Sequence, residues 1–255
     1  MVPIVEREAT SLSEYLSICA ELIQTWSSPE TGETRLWYRG QKKADWHLIP
    51  GEYRYQSINA DEMRCDFMLK ARPLLQKEPR TDWEWYFLMQ HHGLPTRLLD
   101  WAEGSLIGLY FALSQDTGVD DSAVWALDPW ALNAWSTKKS DLVITAAHFE
   151  PEPLAAKYLG PVYRELRLPR RPIAVVPPYN SPRITAQRGT FTIHGSRPDG
   201  LEDQFSRRLA KIVIPREMAL QIRRHLRSVG ISDFTLFPDL DGLCKDIRAV
   251  EVEGC

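Results

Sequence analysis

Residues whose types and spacing could support chemistry are concentrated between positions 90 and 113. This stretch contains Gln90, His91, His92, Thr96, Arg97, Asp100, Trp101 and Ser105. Its polar residues alternate with aromatic and apolar ones, which is typical of positions where functional side chains are fixed against a rigid base. The sequence therefore predicts that this segment lines a binding cleft.

A second candidate lies upstream, in the run Trp37-Tyr38-Arg39-Gly40. An arginine at the end of a strand can project a planar fork of donors into a cleft, which suits phosphate or carboxylate. Tyr38 would lie beside it, and Gly40 would let a ligand approach the main chain closely. The alternative is structural, because Arg39 could instead form an ion pair with Asp100.

The adjacent histidines His91 and His92 could suggest a metal. Neighbouring residues of a helix point about 100° apart, so they are poorly placed to bind one ion. The sequence contains neither an HExxH motif nor a CxxC pair. We therefore expect no metal site, with one histidine facing the cleft and the other packing at a helix end.

The residues after the Gly-Leu-Pro turn read as an extended segment, in which Arg97 and Asp100 face opposite sides. They need not pair, and a buried polar network that fixes the loop is the alternative to a binding role. We expect Asp100 to be at least partly buried. It should then accept hydrogen bonds from Arg39, from Arg97 or from main-chain N–H groups near Ser105, and so support the loop that carries Thr96.

A third group lies near the C-terminus. Gln187 precedes residues 190–194, whose alternation predicts a strand, and its amide could bind a sugar hydroxyl. We expect Gln187 to reach the same cleft as Arg39, Gln90, His92, Arg97 and Asp100. In the run Phe-Pro-Asp-Leu-Asp-Gly-Leu at 237–243, the aspartates are more typical of helix caps than of a calcium loop.

Local signals predict the elements that position these residues. Capping boxes begin at Ser11 and Thr81, and Asp128 with Pro129 starts another helix. We predict helices over 11–26, 60–77, 105–114 and 215–229, and strands over 36–39, 123–127, 190–194 and 211–214. The proline-rich residues 150–182 predict a surface excursion. The alternation of short strands and helices, without a regular βαβ rhythm, favours one mixed α+β domain over residues 1–255, with a core at roughly 30–247.

Composition excludes several classes of protein. The net charge of −3 gives no basic surface for general nucleic-acid binding. No apolar run is long enough to span a bilayer, and the N-terminus does not resemble a secretory signal. Since Cys19, Cys65, Cys244 and Cys255 are widely spaced, reduced thiols and a cytoplasmic location are the default expectation.

Four of these runs together resemble the FRG domain family, which is named for a Phe-Arg-Gly signature. They are Tyr-Arg-Gly at 38–40, the stretch from Gln90, Ile-Thr-Ala-Gln-Arg-Gly-Thr-Phe at 184–191, and the 237–243 run. Tyr38 stands where the family name has phenylalanine. The resemblance extends over nearly the whole chain, but it implies no reaction, because the family is named by its motif.

The order of the motifs is also similar to that of ADP-ribosyltransferases. That similarity implies that Arg39 binds NAD, that the segment from Asp100 through Ser105 to Tyr110-Phe111-Ala112 shapes a nicotinamide pocket, and that Gln187 acts at an oxocarbenium-like transition state. Gln187 departs from the pattern, because a neutral amide cannot stabilise a cation as a carboxylate does.

Two functions follow from these resemblances. The first is an ADP-ribosyltransferase-like or NAD glycohydrolase activity, with NAD as substrate and not as a fixed cofactor, in a bacterial toxin or antiviral effector. The alternative is a non-catalytic domain that senses a nucleotide or a small anion. Both predict a small-molecule nucleotide as partner, without membrane association, and the first adds a macromolecular acceptor.

Overall fold

The computed structural model of the protein describes residues 3–27, 34–55, 57–114, 119–145, 154–163 and 167–251. The strands are β1 (Val5–Glu8), β2 (Trp37–Gln41), β3 (Leu98–Ala102), β4 (Ser122–Leu127), β5 (Val143–Ile144), β6 (Ile173–Val176), β7 (Gly189–Ile193) and β8 (Leu209–Ile214). They form one sheet in the order β1-β8-β4-β2-β3-β7-β6-β5. The β1–β8 and β5–β6 pairs are parallel and the other pairs are antiparallel.

The helices confirm the mixed α+β class that the sequence predicts. They are α1 (Leu12–Trp26), α2 (Ala60–Ala71), α3 (Asp82–His91), α4 (Ser105–Leu113), α5 (Pro129–Thr137), α6 (Ala155–Tyr158), α7 (Pro182–Gln187), α8 (Leu201–Gln204), α9 (Arg216–Ser228), α10 (Asp233–Leu236) and α11 (Leu240–Glu251). None of the helices in the described ranges is long and apolar enough to cross a membrane.

The predicted helix starts are confirmed at the side chains that cap them. Ser11 and Thr81 accept hydrogen bonds from the N–H groups of the third helical residues of α1 and α3, and Asp128 does the same for α5. These caps satisfy main-chain donors that have no partner within the helix. Gly93, with φ of 80°, follows the end of α3 as its position in the sequence predicts.

Several boundaries predicted from the sequence are wrong. Strand β2 continues through Gly40 to Gln41, and α2 ends at Ala71 instead of residue 77. The predicted surface excursion contains the central residues of β6, which are fully buried against other strands. Long-range pairing determines these features, and local composition does not report it. Residues 146–153 and 164–166 of that stretch lie outside the described part, as does Cys255.

Three apolar clusters cover the sheet. On the first face, α1, α4 and α9 form one cluster and α3 forms a second one with β6 and β7. The third cluster, around Trp37 and Trp125, covers the opposite face with α5. Strand β3 contributes Ala102 to the first cluster and Leu98 to the second. Because side chains two residues apart share a face, Asp100 lies between these two clusters.

Candidate functional site

A cleft opens where β2 and β3 separate. The two strands pair at a single position, Tyr38 with Ala102, whereas β2 pairs with β4 over its full length. Beyond that pair, residues of both strands line a cavity of about 760 Å³. Because the cavity lies at the junction of two apolar clusters, main-chain polar groups and aromatic side chains meet in it.

Aromatic side chains from α3, α4, β7 and the loop after β2 form much of the wall. Phe87 of α3 lies 4.9 Å from Phe191 of β7, measured between ring centroids. Both rings line the cleft, together with Phe111 of α4 and the half-exposed Trp46. Walls of this kind, interrupted by a few polar groups, are typical of sites for small molecules with a planar ring.

The charged residues of the cleft are mainly cationic. Its lining includes the basic residues Arg39, Lys42, Arg54 and Arg183, against the acidic residues Asp45 and Asp100. The chain as a whole has a formal net charge of −3, so the cleft is more basic than the rest of the molecule. A local excess of positive charge favours an anionic ligand.

Arg39 extends from β2 across the gap towards β3. Its Nη1 donates a hydrogen bond of 2.8 Å to the main-chain oxygen of Asp100 and lies 3.5 Å from Oδ2 of the same residue. Its Nε is buried and has no hydrogen-bond partner among the described residues. Burial lowers the pKa of Arg39, and Asp100 opposes that shift. The ion pair considered from the sequence therefore exists, and it leaves one buried donor unused.

The carboxylate of Asp100 is held by a chain of side chains. Gln90 donates from Nε2 to Asp100 Oδ2 at 2.8 Å, and Thr96 donates to the amide oxygen of Gln90. With both ends of its amide engaged, Gln90 orients Asp100. Asp100, expected to be at least partly buried, is more exposed than that expectation implies, because 57% of its side chain is accessible. Since the cleft opens to solvent here, Asp100 can face a ligand.

Arg97 does not line this cleft. It is buried, and its Nη1 donates to the main-chain oxygen of His194 at 2.9 Å while Nη2 donates to that of Tyr158. Its Nε lies 3.7 Å from Glu52 Oε1. Arg97 therefore belongs to the buried polar network that the sequence left open as the alternative. It borders a second cavity, of about 650 Å³, with Arg64 and Glu52.

Gly40 has a packing role that the sequence interpretation missed. A Cβ at Gly40 would lie 2.2 Å from the main-chain nitrogen of Ala112 and 2.2 Å from the oxygen of Gly108 in α4. The close partner of this glycine is thus a helix and not a ligand. Tyr38 also belongs to the core on this side, because its hydroxyl lies beside the buried Cys19 thiol.

The two histidines separate, and the expectation that His92 lines the cleft is wrong. His91 lines the cleft, whereas His92 is exposed beyond the end of α3. Burial lowers the pKa of His91, and Arg183 and His92 lower it further while Asp100 opposes them. Three other residues with metal-ligating groups come together, His47, Glu202 and Asp203. The Glu202 carboxylate there already accepts from His47 Nδ1 at 2.8 Å and from a main-chain N–H.

Gln187 reaches the cleft as the last residue of α7, and β7 begins two residues later, as its position before a predicted strand indicates. Its Nε2 donates to the main-chain oxygen of Leu236 at 3.2 Å, which links α7 to α10. Arg188 follows with φ of 47° and ends the helix. The glutamine therefore lies on the side of the cleft formed by α7, away from β2.

The structure brings together most of the residues that the sequence singled out. The cleft is lined by Tyr38, Arg39, Gly40, Gln90, His91, Asp100, Trp101 and Gln187. It is not lined by His92, Thr96, Arg97 or Ser105. Ser105 instead accepts a hydrogen bond from Tyr15 through its main-chain oxygen, because it starts α4 against α1.

Sequence reasoning missed several residues of the lining. Among them are the arginines Arg54 and Arg183 and the aromatic residues Phe87 and Phe191. Arg183 lies in the proline-rich stretch that predicts a surface excursion, and Phe87 lies within a helix that predicts core positions. No local signal distinguishes such residues, because the fold alone brings them to one cavity.

Comparison with known proteins identifies one family. Residues 34–121 match the model of the FRG domain, so the chain contains an FRG domain. The matched segment includes Arg39, Gln90 and Asp100, while Gln187 and Arg183 lie outside it. No curated protein and no solved structure matches the chain.

Proposed function

We propose that this FRG-domain protein binds a nucleotide in the cleft between β2 and β3. Arg39 would hold an anionic phosphate group, and the rings of Phe87, Phe111 and Phe191 would contact the base. The observation that carries this proposal is the buried Nε of Arg39, which has no partner among the described residues, at the wall of an aromatic cleft. Buried polar groups generally have a partner, so an unused donor favours a bound group.

The size and chemistry of the cleft support the same class of ligand. Small-molecule sites occupy roughly 300–1,000 Å³, and this cavity has about 760 Å³. Arginine recognises phosphate through several donors at once, and aromatic rings provide area for a planar base. A nucleotide combines both features, whereas a small inorganic anion would leave the aromatic walls uncovered.

Calorimetric titration of the full chain with ADP and with NAD tests this proposal. We expect the wild-type protein to bind at least one of them. Arg39→Ala should weaken binding by about 10- to 150-fold, because a hydrogen bond to a charged group contributes about 1.5–3 kcal/mol.

The matched control for this titration is Arg7→Ala. Arg7 is half exposed on β1, where it lies 3.9 Å from Glu21, outside the cleft lining. Its replacement should leave binding unchanged. The proposal fails if the wild-type protein binds neither nucleotide, or if Arg39→Ala binds as tightly as Arg7→Ala.

A second candidate function is the cleavage of NAD, and the position of Asp100 favours it. The transition state of such a reaction has oxocarbenium character, which a carboxylate stabilises better than an amide. Asp100 offers that carboxylate in the cleft, held by Gln90 and Arg39. The bond between C1′ of the ribose and the nicotinamide nitrogen would break, and nicotinamide would leave with the electron pair. Water or an acceptor nucleophile would then bond to C1′ and lose a proton.

Release of nicotinamide from NAD distinguishes this activity from binding alone. We expect Asp100→Asn to retain NAD binding and thermal stability but to lose turnover. A wild-type protein that binds NAD without releasing nicotinamide would support the alternative, a non-catalytic sensor of nucleotides. An Asp100→Asn protein that is destabilised and keeps turnover would return Asp100 to the supporting role expected from the sequence.

An NAD-cleaving or ADP-ribosyltransferase-like activity would make this protein a toxin or an antiviral effector. Expression in a bacterial host should then slow growth and lower the cellular NAD content, and Asp100→Asn should abolish both effects. Growth arrest that persists in the Asp100→Asn protein would separate any toxicity from NAD chemistry.

A further inference from the structure

We propose that Arg183 is a second anion-binding residue of the cleft and that the ring of Phe237 positions it there. The inference rests on the proposed nucleotide-binding function and narrows the ligand to one with two linked phosphate groups. It also gives a purpose to the 237–243 run, which lies outside both the cleft and the segment that matches the FRG domain.

The contact between Arg183 and Phe237 fixes the guanidinium. Arg183 belongs to the first turn of α7, and its Cζ lies 4.7 Å from the centroid of the Phe237 ring. A cation over an aromatic face is attracted by the ring, and the contact also restricts a long flexible side chain. Arg183 lines the cleft while it makes this contact.

Phe237 is itself held by its neighbours. Its ring packs edge-on against Phe111, 6.2 Å between centroids, and at a tilt against Tyr110, 6.4 Å between centroids. A Cβ at Gly242 would lie 1.9 Å from the main-chain oxygen of Phe237, so only glycine lets α11 begin this close. Asp239 accepts from the N–H of Gly242 at 2.8 Å. The Phe-Pro-Asp-Leu-Asp-Gly-Leu run thus forms a compact support for one aromatic ring.

A second link attaches this support to α7. Gln187, at the opposite end of α7 from Arg183, donates to the main-chain oxygen of Leu236. Helix α7 is therefore fastened to the 236–237 segment at both ends. This double attachment defines the direction in which Arg183 enters the cleft.

The two arginines reach the cleft from different elements. Arg39 comes from β2 and Arg183 from α7, and both line the same cavity of about 760 Å³. Asp100 and His91 line the same cavity. Asp100 raises the pKa of both Arg39 and His91, and Arg183 lowers the pKa of His91. Two separate guanidinium groups suit a diphosphate better than a single phosphate. The ligand class is therefore a nucleoside diphosphate or a dinucleotide.

Calorimetry with ADP and AMP on the full chain tests the ligand side. Arg183→Gln and Phe237→Leu should each weaken ADP binding by about 10-fold or more, with a smaller effect on AMP. Phe237→Tyr keeps the aromatic face and should bind ADP like the wild-type protein. The matched controls are Lys245→Gln, which removes the other cation near that ring, and Phe234→Leu, which removes an exposed ring of the same segment. Both should bind normally.

A measurement without ligand tests the positioning role separately. The pKa of the His91 ring, followed by NMR, should rise in Arg183→Gln and should rise in the same direction in Phe237→Leu, because the guanidinium then leaves its place. It should stay at the wild-type value in Lys245→Gln. A purely structural role for Phe237 would leave the His91 pKa unchanged and would overturn the positioning claim.

The outcomes separate this inference from the proposed function. If the wild-type protein binds no nucleotide, the proposed function fails and the ligand assignment of Arg183 fails with it. If ADP binds and Arg39→Ala weakens it, but Arg183→Gln and Phe237→Leu bind as the wild type does, this inference alone is overturned. Equal weakening of ADP and AMP binding would overturn the diphosphate assignment.

Discussion

Arg39 lies on β2 and Arg97 directly precedes β3, the neighbouring strand, yet their surroundings differ. Arg97 is enclosed, with its donors directed at the main-chain oxygens of His194 and Tyr158 and at Glu52. Arg39 makes one main-chain bond and one ion pair, both to Asp100, and retains a buried Nε without a partner in the described structure. The protein thus engages the donors of Arg97 but leaves one buried donor of Arg39 without a partner among the described residues.

This difference separates a structural arginine from a candidate binding residue. Removing one partner of a buried charge network costs much of the stability of a domain, because the remaining groups lose their compensation. An arginine with an unused donor beside a cavity contributes less to folding and has capacity left for a ligand. Replacing Arg97 should therefore lower mainly the stability of the fold, whereas replacing Arg39 should weaken mainly ligand binding.

The largest effect is expected for Arg97→Ala. Its removal leaves the carboxylate of Glu52 without its cation and the main-chain oxygens of His194 and Tyr158 without their side-chain donor, so the free energy of unfolding should fall by about 3–5 kcal/mol. Urea denaturation followed by fluorescence measures it, with the half-exposed Arg7→Ala as the control that should change little. A loss as small as that of the control would remove the distinction between the two arginines.

The next largest effect is expected for Gly40→Ala, beside Arg39 in sequence. The added methyl meets main-chain atoms of α4 at 2.2 Å on two sides, and these cannot move without shifting the helix. The free energy of unfolding should fall by about 3 kcal/mol, at the upper end of overpacking effects. A stable Gly40→Ala protein with impaired nucleotide binding would instead assign Gly40 to the ligand.

His194 lies between the two regions and gives them a pH dependence. Burial first, then Arg97 and Arg39, lower its pKa from 6.5 to about 3. The folded protein therefore binds this proton less readily than the unfolded chain. Its contribution is intact above pH 6.5 and is lost progressively as the pH falls towards 3. At pH 5 that loss is about 2 kcal/mol.

Urea denaturation at pH 7 and pH 5 checks this contribution. The His194→Gln protein lacks the titrating ring, so its stability should fall less between the two pH values than that of the wild-type protein. Carboxylates that titrate in the same range are common to both proteins and cancel in the difference. Equal losses in the two proteins would mean that the buried ring accepts a proton without penalty.

The smallest effect is expected for Gln90→Leu, which breaks the link between Thr96 and Asp100. One hydrogen bond to each partner is lost, and the free energy of unfolding should fall by about 1 kcal/mol. ADP binding should weaken only a few-fold, at roughly the same energy, because the amide is bonded to Thr96 and Asp100 and affects the ligand through Asp100. Binding lost as completely as in Arg39→Ala would show that Gln90 contacts the nucleotide directly.

Features with local causes could be predicted from the sequence. The caps at Ser11, Thr81 and Asp128 depend on residues three positions apart, and the structure has all three. The ion pair between Arg39 and Asp100 is also among the alternatives that the sequence offers, because both are charged residues of its strongest motifs.

Features that depend on distant pairing could not be predicted. Strand β6 is buried because β5 and β7 flank it, although its sequence lies among prolines. The hydrogen bonds that use the donors of Arg97 go to main-chain oxygens far along the chain, at Tyr158 and His194. Arg183 is positioned in the cleft by the ring of Phe237, which lies between α10 and α11. Residue type and spacing carry none of this information.

A structure of the protein crystallised with ADP tests the central claim most directly. The account predicts a phosphate group within hydrogen-bonding distance of Arg39, with Nε among its donors, and the adenine against the rings of Phe87, Phe111 or Phe191. Arg97 should keep the partners it has without ligand. ADP bound in the second cavity beside Arg97, or a phosphate that leaves Arg39 bonded to Asp100 alone, would contradict the account.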